Sequence, residues 1–398
     1  MTLCSSTIRR SISGSGVGLA LVGTLLIAST YGMARFGVGL FAPRLGAEHP
    51  DLVQVLGYAG AAQFVSYSLA AGVAGRLADR RPRLGLALAG STAALGCLGV
   101  ALAATPGVFV AAVFVGGMGA GFASPAMVRV VDATVSDRTA PTAQALVNTG
   151  TAFGVVGAGA LAFAITSTGA AWLVMAGLCA VPAAGVLLLL GRRSGLPSAP
   201  TGDAPRPSGG PGRAGSLAVP TAAAVVVGAG SAVIWTFGPT LATAADAVPA
   251  AHVGWLWVAL GVGGLAGPST GAVVGRLGPA GGWRLCAAVL AVSDLVLVAA
   301  LVQRTAWPAY VAMALFGAGY LCLTGVLILW ARAVRPAAAG AATAVLFIAL
   351  AVGQALGSLA VGAVRVPVGA TGVLLAAAVL CAVGGELART RRVSSPAT

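Results

Sequence analysis

The chain has 398 residues, of which 58% are hydrophobic and 8% charged, with a mean hydropathy of +0.96. A soluble protein carries roughly a quarter charged residues, so a soluble globular fold, a disordered chain and a disulfide scaffold are excluded and a lipid bilayer is expected. The formal charge of +14 comes from 23 Arg and no Lys; they sit in small groups between apolar runs, as in the cytoplasmic loops of a membrane protein and unlike a nucleic-acid surface.

A spanning helix needs about 20 mainly apolar residues. Cutting the chain at charged, Pro-containing and Gly-rich breaks predicts spans 1 to 6 at 17–41, 52–75, 84–104, 108–130, 141–166 and 169–190. Spans 7 to 12 follow at 218–244, 250–274, 283–303, 307–333, 337–363 and 367–388, with Arg365 and Pro367 marking the last turn. Arg9 and Arg10 stand before the first run as in a signal peptide. That run continues from Val17 without a small-residue cleavage site, so it reads as a retained helix.

Between Gly191 and Ser216 the chain holds five Pro, seven Gly and four Arg. Such a segment has little to bury and reads as a flexible linker. The expected organisation is an all-α membrane protein of twelve transmembrane helices. It comprises a six-helix bundle over 1–190, a linker over 191–217 and a second six-helix bundle over 218–398. With both termini in the cytoplasm, 19 Arg fall on the inner side and only Arg35, Arg44, Arg304 and Arg365 fall elsewhere. That is the positive-inside asymmetry. The six Cys lie in or beside apolar runs without paired spacing and imply no metal or disulfide framework.

The halves echo each other. Gly75-Arg76-Leu77 after span 2 matches Gly275-Arg276-Leu277 after span 8, and Arg35-Phe36-Gly37 matches Thr236-Phe237-Gly238, at offsets of 200 and 201. Internal repeats of this kind mark secondary transporters.

The segment Gly75-Arg76-Leu77-Ala78-Asp79-Arg80-Arg81-Pro82-Arg83 between spans 2 and 3 resembles the signature loop of the major facilitator superfamily, Gly-x-Leu-Ala-Asp-Arg-x-Gly-Arg. Pro82 stands where that family usually has Gly, and Pro279 stands in the second copy where Asp79 stands in the first. The resemblance implies that spans 1, 4, 7 and 10 line a central cavity and that Gly75, Asp79, Arg80 and Arg83 serve gating. Asp79 is expected against a helix N-terminus near Gly340, where the helix dipole favours a carboxylate. Arg80 or Arg83 is expected to meet Asp132 beyond span 4. Topology determinants alone are the other reading of these charges. Patterns of the family's drug exporters are weaker. Val113–Gly119 lacks their Arg and Gln, and Gly150, Gly154, Gly157 and Gly159 keep their Gly spacing without the Pro.

Polar groups inside spans are costly and are candidates for function. Tyr31 and Arg35 on span 1, Gln63 and Tyr67 on span 2, and Tyr320 and Thr324 on span 10 are pairs four apart, which share a helix face. Ser124, Asn148, Trp235 and Gln354 complete the candidate substrate-binding set. Packing hydrogen bonds are the alternative role for each hydroxyl, and snorkelling to the interface is the alternative for Arg35. Asp294 is the one carboxylate expected mid-membrane, on a span the resemblance places outside the cavity. Glu48 and Asp51 of the first outer loop are the expected acidic neighbours of Arg35 if it belongs to an outer gate.

The function expected is secondary transport of a small organic molecule by rocker-switch alternating access, as proton-coupled efflux. Uptake of an organic anion is the alternative, and a non-transport polytopic protein is a lesser one. No paired His or carboxylates at helical spacing within spans suggest an enzyme, and no phosphate-binding loop suggests ATP-driven transport. No cofactor, metal or nucleic-acid partner is expected; the partners are substrate, bilayer and protons, and the protein is expected to act as a monomer. The absence of Lys and the Ala/Gly/Arg bias point to a bacterial inner membrane.

Overall fold

A computed structural model of the chain describes residues 14–134, 140–191 and 216–389. Among these residues the structure is helical and contains no strand. The first half comprises α1 (Gly14–Ile27), a π-helical segment (Ala28–Arg35), α2 (Gly37–Glu48), α3 (Pro50–Gln54), α4 (Leu56–Arg80), α5 (Pro82–Ala101), α6 (Pro106–Thr134), α7 (Ala140–Ala164) and α8 (Thr168–Gly191). After residue 216 follow α9 (Ala218–Ala244), α10 (Val253–Gly264), α11 (Thr270–Gln303), α12 (Ala306–Val334) and α13 (Ala339–Glu386).

Nine helical stretches among the described residues are long and apolar enough to cross a membrane. The protein is an integral, multi-pass membrane protein. Two stretches, Ala250–Gln303 and Ala339–Glu386, run to 54 and 48 residues, more than twice the need of one crossing. Each contains a glycine at positive φ, Gly278 (71°) in the first and Gly369 (77°) in the second. Only glycine reaches that conformation without strain, and there the helical path turns.

Of the expected spans, span 7 coincides with α9, while expected spans 8 and 9 fall within the stretch Ala250–Gln303 and spans 11 and 12 within Ala339–Glu386. The expected loop after span 2 is shorter than the sequence implied. Helix α4 continues to Arg80, and only Arg81 (φ −143°, ψ 65°) leaves helical geometry before Pro82 opens α5. Proline suits that first helical position because its missing N–H would be unsatisfied there in any case. The departure from the family's Gly at position 82 therefore costs the turn nothing.

The surface carries many exposed apolar side chains, among them Leu102, Val181, Val302 and Val366. Exposed Tyr58, Trp255 and Trp307 sit near the starts of α4, α10 and α12. Amphipathic rings at helix ends are what a membrane–water boundary selects.

Helices from the two sides of the 192–215 segment meet chiefly as α4 with α13, α7 with α10, and α2 with α9. Glycine makes the approach close. A Cβ on Gly57 would lie 2.7 Å from the Ser358 carbonyl oxygen, and one on Gly39 would lie 2.1 Å from that of Trp235. Small residues of this kind let helix backbones touch where the bilayer supplies no hydrophobic drive.

Candidate functional site

The π-helical segment Ala28–Arg35 carries Tyr31 and Arg35. A π-helical insertion is rare and recurs at functional sites because it re-aims side chains. Here it turns Arg35 inward, and the residue is 4% exposed. Its guanidinium carbon lies 4.0 Å from the Tyr67 ring centroid, 5.0 Å from Phe36, and 5.4 Å from both Tyr31 and Phe64. Arg35 does not snorkel. Four aromatic faces surround the cation, an attraction worth about 0.5–2 kcal/mol per well-placed ring.

The neighbours are the residues the sequence singles out. Tyr31 Oη donates to Tyr67 Oη at 3.1 Å, with the rings edge to face. Trp235 of α9 stacks on Phe36 at 3.7 Å between centroids and 11° between planes. Phe316 and Tyr320 of α12 stand edge-on to Trp235 at 5.3 and 5.2 Å. Gln354 Nε2 of α13 donates to Tyr320 Oη at 3.0 Å. Arg35, Phe36, Val38, Gly39, Gly60, Gln63, Trp235 and Thr236 enclose a void of about 10 Å³, room for about one water.

Tyr31, Arg35, Gln63, Tyr67, Trp235, Tyr320 and Gln354 therefore gather at one place. Three other candidates do not join them. Thr324 is half-buried and turns its hydroxyl back to the Leu321 carbonyl at 2.8 Å. Asn148 is exposed and accepts from Gln144 Nε2 at 3.0 Å. Ser124 is half-buried on α6.

The cluster holds an uncommon number of unmet hydrogen-bonding atoms. Arg35 Nε, Trp235 Nε1, Gln63 Oε1 and Gln354 Oε1 are all buried without a partner, in residues at most 6% exposed. Native interiors pair about nine in ten such atoms. No ion pair to Arg35 occurs among the described residues. Glu48, one expected partner, instead accepts from Thr168 Oγ1 at 2.8 Å.

Of the expected gating residues, the side chains of Gly75, Asp79 and Arg80 lie outside the described residues. Arg83 Nη2 donates to the Leu190 carbonyl at 3.0 Å, tying α5 to the end of α8. Asp132 is exposed in the last turn of α6. Arg83 thus meets an open carbonyl at a helix C-terminus, which an Arg satisfies well, and the expected alternative, Arg80 with Asp132, lies outside the described residues.

Asp294 is buried on α11 with Oδ1 unpartnered, beside Cys381 of α13. No cluster of three His, Cys, Asp or Glu able to hold a metal occurs among the described residues.

Several contributors carry no polar signal in the sequence. Phe36, Phe64 and Phe316 are apolar, and Thr236 with Ser358 (3.2 Å between hydroxyls) joins α9 to α13. One signal for Phe36 and Thr236 exists. Arg35-Phe36-Gly37 and Thr236-Phe237-Gly238 are the repeated triplets, and residues of both copies line the same void.

The family model described as Major Facilitator Superfamily matches residues 24–358. The chain belongs to the major facilitator superfamily. Solved structures agree with the fold of this facilitator. The nucleoside transporter NupG superposes with a TM-score of 0.73 at 13% identity, covering 92% of this chain and 98% of that one. A D-xylose-proton symporter gives 0.71 at 15% identity, covering 95% and 98%. A POT family transporter in complex with 5-aminolevulinic acid gives 0.72 at 12% identity, covering 93% and 94%. Comparison with curated proteins returns no match. At these identities the neighbours establish the facilitator fold alone.

Proposed function

We propose that this facilitator is a secondary transporter that moves a small organic molecule across a bacterial plasma membrane by rocker-switch alternating access. In this reading it acts as a monomer, couples to protons and exports its substrate. The observation that carries the proposal is the placement of the Arg35 cluster. Its side chains come from helices on both sides of the 192–215 linker, so relative movement of two six-helix halves remakes the site. Twelve spans follow if α4 counts as one and the two long stretches count as two each, turning at Gly278 and Gly369.

With both termini cytoplasmic, the contacts of Gly39 with Trp235 and of Gly57 with Ser358 lie toward the outer face. Arg365 Nη2 reinforces them by donating to the Val53 carbonyl at 3.0 Å. This supports an outward-closed state. Uptake of an organic anion is the second reading, favoured by a buried guanidinium that lacks an acidic neighbour among the described residues.

Single cysteines at Thr236 and Asn148, in a chain otherwise free of cysteine, test alternation. Alternating access requires Thr236→Cys to react with an impermeant thiol reagent from the outside and Asn148→Cys from the inside. Cross-linking a Gly57→Cys/Gly362→Cys pair should abolish the first and enhance the second. Reactivity of both sites from one side, unaffected by the cross-link, rejects the proposal.

A further inference from the structure

The unmet atoms around Arg35 form a pattern, and the pattern describes a ligand. Among the residues that line the void are two with unpartnered donors, Arg35 Nε and Trp235 Nε1, and one with an unpartnered acceptor, Gln63 Oε1. All three residues line the void, and each is at least nine-tenths buried. A water filling the space would bring no counter-charge to the cation. An Arg cannot lose its proton to relieve that.

We propose, resting on the transporter reading, that the substrate is a compact aromatic carboxylate that also carries a hydrogen-bond donor. The carboxylate faces the Arg35 guanidinium and Trp235 Nε1, and the donor, a hydroxyl or amine, faces Gln63 Oε1. The flat body follows from the walls. Phe36 covers one face of Trp235 at 3.7 Å, and Phe316 and Tyr320 stand perpendicular to Trp235 at 5.3 and 5.2 Å. The void is too small for any ring while that stack stands. A planar ligand enters by taking the place of Phe36 on the Trp235 face, at the stacking distance already present. Phe36 and Trp235 belong to different halves, so the exchange couples binding to separation of α2 from α9.

Cationic drugs are disfavoured by the same geometry. The aromatic faces that attract a cation are occupied by Arg35 itself, and no carboxylate borders the void.

Three probes of one shape separate the requirements: 4-hydroxybenzoate, benzoate without the donor, and 4-hydroxybenzamide without the charge. Titration calorimetry on the full chain in lipid nanodiscs measures each. Benzoate should bind about tenfold more weakly than 4-hydroxybenzoate, the worth of one bond to a buried acceptor. The amide should bind about 10–100-fold more weakly, the worth of a charge-assisted contact. In Arg35→Gln the preference for acid over amide should fall to within about twofold while the hydroxyl preference persists; in Gln63→Leu the reverse should hold.

An amide that matches the acid on the unmodified chain overturns the proposal without reliance on any variant. Failure of all three probes to bind overturns it equally. Equilibrium binding needs the local opening of the Phe36–Trp235 stack but no reorientation of the site across the membrane. Loss of the ordering beside intact thiol alternation removes the substrate class and leaves the transporter; the ordering without alternation removes the transporter and leaves the binding site.

Discussion

Phe36 and Trp235 stack face on face, 3.7 Å between centroids, across the join between the helices that precede residue 192 and those that follow residue 215. Phe36 ends the π-helical segment that places Arg35, and Trp235 sits where α9 passes Gly39. One ring pair thus links the binding cluster to the closest backbone approach between α2 and α9. A stacked aromatic pair contributes about 0.5–1.5 kcal/mol beyond its buried area, small against folding and large against a conformational equilibrium. Phe36→Leu keeps the apolar volume and removes the stack. It should insert normally and raise the outside labelling rate of Thr236→Cys by about 2–10-fold, the Boltzmann factor of that energy. An unchanged labelling rate would mean that the stack fills space and holds no gate.

Gly39 offers a sterner test of the same join. The Cβ of Gly39→Ala would sit 2.1 Å from the Trp235 carbonyl oxygen, so α2 and α9 must part. Gly72, on α4, has nothing within 4 Å of its Cβ position. Gly39→Ala should hold the outer face open and suppress transport, while Gly72→Ala transports normally and marginally favours the helix. Equal transport by both variants would show that the close approach is incidental.

The sequence revealed much of this because polar side chains are rare within apolar runs. Tyr31, Arg35, Gln63, Tyr67, Trp235, Tyr320 and Gln354 stand out for that reason, and they converge. Thr324 stood out equally and does not converge, since a hydroxyl can satisfy itself on its own helix. Phe64 and Phe316 were invisible because an apolar ring reads the same whether it faces lipid or a cation, and Phe36 was marked only by its place in the repeated triplet. The π-helical segment had no signal either, as no Pro or charge interrupts Ala28–Arg35 before its end. Span ends were legible wherever Pro or Arg punctuates the chain. Where α4 runs on through the Gly75–Arg80 motif, the polar residues themselves are helical, and hydropathy alone places the end too early.

Asp79 and Arg83 share the signature segment and should fail differently. Arg83 anchors α5 to the last turn of α8 through the Leu190 carbonyl, a contact within one half that movement between halves leaves intact. Arg83→Gln should lower the midpoint of thermal unfolding and leave the turnover of correctly folded protein near normal. Asp79→Asn should show normal insertion and thermal stability but markedly slower transport. Swapped behaviour, with Asp79→Asn unstable and Arg83→Gln slow, would reassign the gate to Arg83.

In the proposed orientation, Arg365 closes the outer end in a second way. Its Nη2 donates to the Val53 carbonyl, and the guanidinium carbon stands 5.6 Å from the Phe237 ring. The arrangement binds the part of α13 before Gly369 to α3 through Val53, with Phe237 of α9 alongside. A bond from a charged donor contributes about 1.5–3 kcal/mol where it is shielded, less here because the pair is only partly buried. Arg365→Ala should loosen that join, and amides 53–58 should exchange with deuterium faster by up to about tenfold. Arg365→Lys keeps the charge but places it as a single compact ammonium without the planar fork, and should recover part of the protection. The exchange of α6, remote from this contact, serves as the reference. Faster exchange in α6 as well would signal general destabilisation, and unchanged exchange at 53–58 would remove Arg365 from the outer closure.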